Sequence, residues 1–230
     1  MGGVFKMTKV SIIIPTYNEE EYIANCLIAI QNQDFEDYEV IVVDNGSTDK
    51  TKEVVSLFRK VRFVEQKAER GAGASKNYGV DIANGQILLF IDADEVIYDG
   101  FIEQMIEPIL LKEYAATVPY HNDCGDHLNN GEGGTRRNFT DGIFRAIDKY
   151  SFKGFDTKRG YADDKVDYLD GQIKKIEVPL YHIVSKSITK SFIKGKWVGS
   201  SFQYNETDSK MAKLLYKLGY IVGFFKQKRK

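Results

Sequence analysis

Asp92-Ala93-Asp94 sets two carboxylates two positions apart, directly after the apolar run 87–91. Where a buried strand gives way to a loop, both carboxylates can turn into one cleft. Hard oxygen ligands of this kind suit Mg²⁺ or Mn²⁺, which bridge to a diphosphate and neutralise it. Such a metal acts as a Lewis acid on a departing nucleotide diphosphate. A lone Asp-x-Asp is common in solvated loops and helix caps; here the apolar run favours a place at a sheet edge. Asp44 ends a second apolar run, 40–43. Its spacing fits two roles equally, a cap for the following turn or an acceptor for a nucleobase N–H.

The elements that must position these carboxylates alternate in type. Residues 10–14 form a continuous apolar run that stops at Pro15, as a strand buried on both faces does. Residues 19–32 carry Ile23, Leu27, Ile28 and Ile30 at helical spacing behind an acidic first turn, which predicts an amphipathic helix. Strands are predicted over 40–43, 62–65 and 87–91, and helices over about 50–58 and 71–83. Residues 45–49 supply a turn and a helix N-cap. Strands alternating with helices imply an α/β fold, a mostly parallel sheet with both faces covered. In such sheets ligands bind beyond the carboxyl ends of the strands, where Asp44, Asp92 and Asp94 all lie. The second half is less regular. Residues 121–138 read as a long polar surface loop, 161–169 hold an acidic cluster, and a strand is expected over 174–178, followed by Pro179 and His182.

A chain of 230 residues is long enough for one such domain with a short appendage. The formal net charge of −1 gives no basic field for nucleic acid, and none is expected as a partner. Two cysteines without metal-type spacing fit a reducing, cytoplasmic setting, with Cys26 a small buried hydrophobe. No secretory leader is expected, and no run approaches the roughly 18 apolar residues of a membrane span.

Four motifs in order, Val10 through Pro15-Thr16-Tyr17-Asn18-Glu19, Asp44-Asn45-Gly46-Ser47-Thr48-Asp49, Ala74-Ser75-Lys76-Asn77 and Phe90-Ile91-Asp92-Ala93-Asp94, resemble the family-2 glycosyltransferases. The resemblance runs from Thr8 to about Phe202. It implies the GT-A fold, a Rossmann-like domain over 8–205 with a nucleotide-binding half (8–98) and an acceptor half (99–205). Segment 1–7 would be a leader or tag-like piece, and 206–230 a basic amphipathic helix.

By that resemblance Pro15, Thr16, Tyr17, Glu19, Asp44, Lys76, Asp92 and Ala93 would bind a nucleotide-sugar donor. Asp94, with Asp92 and His182, would hold Mn²⁺ or Mg²⁺. Lys76 stands where many members carry arginine, so a point charge replaces a bidentate fork. Inverting members use a carboxylate base on the acceptor hydroxyl, opposite the leaving group. The segment through Tyr161-Ala162-Asp163-Asp164 aligns Asp164 with that base and Asp163 beside it. Arg136 and Arg137 read either as phosphate clamps or as solvated charges. The implied activity is that of a hexosyltransferase with a glycan or lipid-linked acceptor.

Segment 211–230 combines an apolar face with a basic end, which fits either a helix on an anionic membrane surface or one packed on the domain. Two other readings compete with transfer. A sugar-phosphate nucleotidyltransferase would place a glycine-rich basic loop after the first strand, where residues 15–20 are instead acidic and without glycine. A non-catalytic nucleotide-sugar-binding module would lack a ligand or base. A dinucleotide fold is disfavoured because no G-x-G-x-x-G is completed.

Overall fold

The apolar runs of the first half become strands buried on both faces. The computed structural model describes residues 9–69, 71–120, 145–155, 157, 171–178 and 180–182. Strands β1 (Val10–Thr16), β2 (Tyr38–Asp44), β3 (Val61–Glu65) and β4 (Ile87–Phe90) are parallel, with β1 paired to both β2 and β4. Helices α1 (Ile23–Gln31), α2 (Thr51–Ser56) and α3 (Ala72–Ile82) connect them. Strand periodicity divides the core. Ile12, Ile14, Val40, Val42 and Leu89 face α1, while Ile13, Ile41, Val43, Leu88 and Phe90 pack with Ala83 and Phe155 on the other side.

Beyond β4 the chain forms β5 (Glu95–Ile97), α4 (Phe101–Leu110), β6 (Ala116–Tyr120), β7 (Ala146–Asp148), β8 (Ile173–Glu177) and β9 (Leu180–His182). The main sheet has seven strands in the order β3-β2-β1-β4-β7-β6-β8. Strand β7 runs antiparallel to β4 and β6, and β8 runs parallel to β6. Strands β5 and β9 make a separate antiparallel pair. This is the mostly parallel α/β sheet expected from the sequence, with one antiparallel strand joining its two parts.

One boundary differs in a way that matters to the site. Helix α1 starts at Ile23 rather than Glu19, so its first turn holds no acidic residue. Asn18 adopts a left-handed φ of 56°, and the backbone amides of Glu19 and Glu20 donate to the side chains of Thr51, at the start of α2, and Asp49, in the loop before it, instead of starting a helix. The anticipated loop 121–138, Arg136, Arg137, the pair Asp163 and Asp164, and segments 1–7 and 206–230 lie outside the described residues.

Candidate active site

The parallel register brings the ends of β1, β2 and β4 together. Thr16 is the register partner of Asp44, Pro15 that of Val43, and Ile13 that of Phe90, two residues before Asp92. Thr16 and Asp44 are 4% and 3% exposed, and Tyr17 is half-buried. Among the described residues the Thr16 hydroxyl has no hydrogen-bond partner. Asp44 caps the turn that follows it. Its Oδ2 accepts from the Gly46 and Ser47 amides at 3.0 and 2.9 Å, and its Oδ1 accepts from the Ser47 hydroxyl. A carboxylate has about four lone-pair directions, so these three bonds leave one on Oδ1 for a further donor. The cap role and a ligand role are therefore compatible.

The loops around Asp44 are stitched to one another. Asn18 donates its amide to Ser47 Oγ (2.8 Å) and accepts the Thr48 amide on Oδ1 (2.8 Å). The Glu19 amide donates to Thr51 Oγ1 at 2.9 Å, and the Lys50 amide to Glu20 Oε2 at 2.8 Å. On the other side Asn45 Nδ2 donates to the Gln66 and Glu69 carbonyls, while its Oδ1 accepts the Gly71 amide. Three loops thus form one preorganised rim.

Asp92 opens a tight turn between β4 and β5. The Glu95 amide donates to the Asp92 carbonyl (3.0 Å), and the Asp92 amide donates to Glu95 Oε2 (2.8 Å). Arg145 meets Glu95 with both terminal nitrogens, Nη1 to Oε2 at 3.0 Å and Nη2 to Oε1 at 2.6 Å. Both residues are 2% exposed. Such a bidentate pair offsets part of its own desolvation. The Asp92 carboxylate faces two cations, Lys76 Nζ at 3.7 Å from Oδ1 and Arg145 Nη1 at 3.7 Å from Oδ2. Lys76 projects from α3, and its Nζ also sits 5.6 Å over the Phe155 ring. Ala93 is buried and Asp94 half-buried. Cys26 is buried behind the turn, with its thiol 3.6 Å from the Asp92 carbonyl. Burial raises its pKa, and the charges of Glu95, Asp94 and Asp92 add to that.

Sequence reasoning missed Glu95 and Arg145. Glu95 adjoins the Asp-x-Asp triplet, and a third acidic residue there was a signal. Arg145 lies fifty residues away in the chain, and nothing in its local pattern singles it out. His182 on β9 is the register partner of Glu95, which places its backbone beside the turn. Its side chain, like Asp163 and Asp164, lies outside what is described.

Among the described residues, no three His, Cys, Asp or Glu side chains converge into a metal cage. Mg²⁺ typically takes one or two carboxylates and completes its shell with waters and substrate phosphates. Asp92 and Asp94 are both half-buried and stand two residues apart in one turn, so together they could supply the one or two carboxylates that such an ion takes.

A sequence profile of glycosyl transferase family 2 matches residues 11–167. The GalNAc(5)-diNAcBac-PP-undecaprenol beta-1,3-glucosyltransferase of Campylobacter jejuni is 32% identical over 139 residues, 58% of this chain and 43% of that protein. The poly(ribitol-phosphate) beta-N-acetylglucosaminyltransferase TarS of Staphylococcus aureus is 40% identical over 98 residues, 40% of this chain and 17% of that protein. The matches thus cover less than half of the length of either relative.

The structure of S. aureus TarS 1–349 in complex with UDP-GlcNAc superposes with a TM-score of 0.65 at 19% identity, over 95% of this chain and 73% of that one. Mannosyltransferase PcManGT from Pyrobaculum calidifontis, in complex with GDP-Man and Mn²⁺, gives 0.62 at 18% identity, over 93% and 69%. These likenesses concern the fold. By its profile match and its architecture, the chain belongs to glycosyl transferase family 2 and has the GT-A fold.

Proposed function

We propose that this protein transfers a sugar from a UDP- or GDP-sugar to a glycan or lipid-linked acceptor, by inverting displacement. The observation that carries this reading is the meeting of Thr16, Asp44 and Asp92 at the ends of three adjacent parallel strands, inside a family-2 profile match. Asp44, with one acceptor direction left and a buried setting, is suited to a nucleobase N–H. Pro15, Thr16, Tyr17 and Glu19 line the same edge on the β1 side. Asp92 and Ala93 lie towards the ribose and diphosphate, with Lys76 beside them as a cation.

Asp94, with Asp92 and His182, would hold Mn²⁺ or Mg²⁺, which when bound stabilises the leaving diphosphate as a Lewis acid. Asp164, with Asp163 beside it, takes the proton of the acceptor hydroxyl as that oxygen attacks the anomeric carbon. The anomeric C–O bond to the diphosphate breaks as the new one forms, from the opposite face. A lipid-linked acceptor is supported by the undecaprenol in the name of the C. jejuni relative. The apolar and basic segment 211–230 would then rest on a membrane surface. Among the described residues no helix is long and apolar enough to cross a membrane.

A nucleotidyltransferase reading is disfavoured by the loop after β1. The amides of Asn18, Glu19 and Glu20 are already given to Ser47, Thr51 and Asp49, and so do not form a triphosphate cradle. The first test is donor hydrolysis. The protein is incubated with UDP- and GDP-sugars in Mn²⁺, Mg²⁺ or EDTA, and released nucleotide is quantified. Release from one donor, abolished by EDTA and by Asp94→Ala, is expected. Silence on every donor, with no binding by calorimetry, would point instead to a module without turnover. Retention at the anomeric carbon would remove Asp164 from its role, and equal flotation with anionic liposomes after deletion of 211–230 would end the membrane proposal.

A further inference from the structure

We infer that Glu95 and Arg145 are positioning residues that hold the Asp92-Ala93-Asp94 turn in the geometry needed to receive a divalent cation; this rests on the transferase reading above. The pair grips Asp92 by both its backbone and its side chain. Glu95 Oε2 accepts the Asp92 amide at 2.8 Å, and Arg145 Nη1 stands 3.7 Å from Asp92 Oδ2. Lys76 stands at the same distance from the other oxygen. With a cation on each oxygen, the plane of the Asp92 carboxylate is set, and Asp94 follows two residues later in the same turn.

Arg145 is itself fixed by the sheet. Its amide donates to the Thr117 carbonyl at 3.1 Å, and its carbonyl accepts from the Phe90 amide at 2.7 Å. A strand from the second half of the chain thereby sets the turn that ends β4. Stability alone is a poor reason for this arrangement. A buried ion pair is often no more stabilising than apolar residues of similar volume. What an apolar pair would lack is the acceptor for the Asp92 amide and the charge opposite Asp92 Oδ2.

The test uses the full chain with Glu95→Gln/Arg145→Met, a neutral pair that leaves no buried charge uncompensated, and with Arg145→Lys, which keeps the charge and loses the fork. Mn²⁺ binding is measured by electron paramagnetic resonance of the free ion, with UDP or GDP present. Nucleotide binding in EDTA is measured separately by calorimetry, and folding by circular dichroism. Both variants are expected to fold and to bind Mn²⁺ about tenfold more weakly or worse, with metal-free nucleotide affinity falling by less than that. A folded variant with the Mn²⁺ affinity of the parent would overturn the inference. So would failure of both variants to fold, because the pair would then serve the fold itself. Absence of nucleotide-dependent Mn²⁺ binding in the unmodified protein would instead sink the transferase reading, and the inference with it.

Discussion

Lys76 Nζ lies 3.7 Å from Asp92 Oδ1, although the lysine side chain is only 3% exposed. Burial disfavours an ammonium, and the Asp92 carboxylate with the face of the Phe155 ring offsets that cost. Lys76→Met keeps the volume and removes the charge. Asp92 is partly exposed and keeps Arg145 as a partner, so the loss of stability should stay below the roughly 3–5 kcal/mol that breaking a fully buried pair costs. Donor hydrolysis should fall roughly tenfold or more, because Asp92 loses a cation that orients it. A thermal melt and a nucleotide-release assay separate the two effects; unchanged release would show that Lys76 serves packing alone.

Gly79 fixes how closely α3 approaches the sheet. A Cβ there would meet Ile13 Cγ2 at 2.5 Å and Val43 Cγ2 at 3.3 Å, both on rigid β-branched residues of β1 and β2. Gly79→Ala gains about 1 kcal/mol of helix propensity, but overpacking costs about 1–3 kcal/mol, so the clash should win. Lys76 is one turn earlier on the same helix, and a helix pushed outward carries it away from Asp92. The expected result is a lower urea midpoint together with slower donor hydrolysis. A midpoint at or above that of the parent would mean that α3 settles without strain.

The parts of this site written in local sequence are those that depend on burial. A strand covered on both faces must be apolar at every position, so 10–14, 40–43 and 87–91 announce themselves, and the aspartates that end them can be placed. The start of α1 could not be read the same way. Glu19, Glu20 and Glu21 look like an acidic first turn, yet the amides of Glu19 and Glu20 are taken by Thr51 and Asp49 about thirty residues away. The Glu95–Arg145 pair spans fifty residues and has no local signature. Helix α4, which buries Phe101, Ile102, Met105, Ile106 and Ile109 and contains Pro108, is not among the predicted helices. Strands β5, β7 and β9 have three residues each, too few for a period to emerge, and long-range pairing determines them.

Glu65, at the end of β3, is held as a carboxylate by hydrogen bonds from Lys52 and then Lys67, and its pKa is lowered from 4.5 to about 2. Lys52 moves the opposite way, raised mainly by its hydrogen bond with Glu65, as one shared interaction requires. A carboxyl whose folded pKa lies below its unfolded value stabilises the fold fully above the unfolded pKa. That contribution fades as pH falls from about 4.5 towards 2. The cluster is exposed, so salt and solvent screen it and its share of stability is small. An NMR titration of the Glu65 carboxyl should give a midpoint near 2 in low salt that climbs with added salt or with Lys52→Ala. An ordinary midpoint in low salt would mean that the two lysines do not hold the carboxylate in solution.

Asp44→Asn distinguishes the two roles that the sequence left equal. The amide oxygen of asparagine can still accept from the Gly46 and Ser47 amides, and its NH₂ can donate to the Ser47 hydroxyl in place of the bond that Asp44 Oδ1 accepts. The cap should therefore survive, with a loss of stability below about 1 kcal/mol. What vanishes is the remaining acceptor direction on Oδ1, replaced by a donor that opposes a nucleobase N–H. If that direction meets the base, nucleotide affinity should drop about tenfold or more, since a buried donor left facing a donor costs about 1–3 kcal/mol. Calorimetry with UDP and GDP, beside a urea melt, reads both quantities on the same protein. A folded Asp44→Asn variant that binds nucleotide like its parent would leave Asp44 with the cap as its sole role.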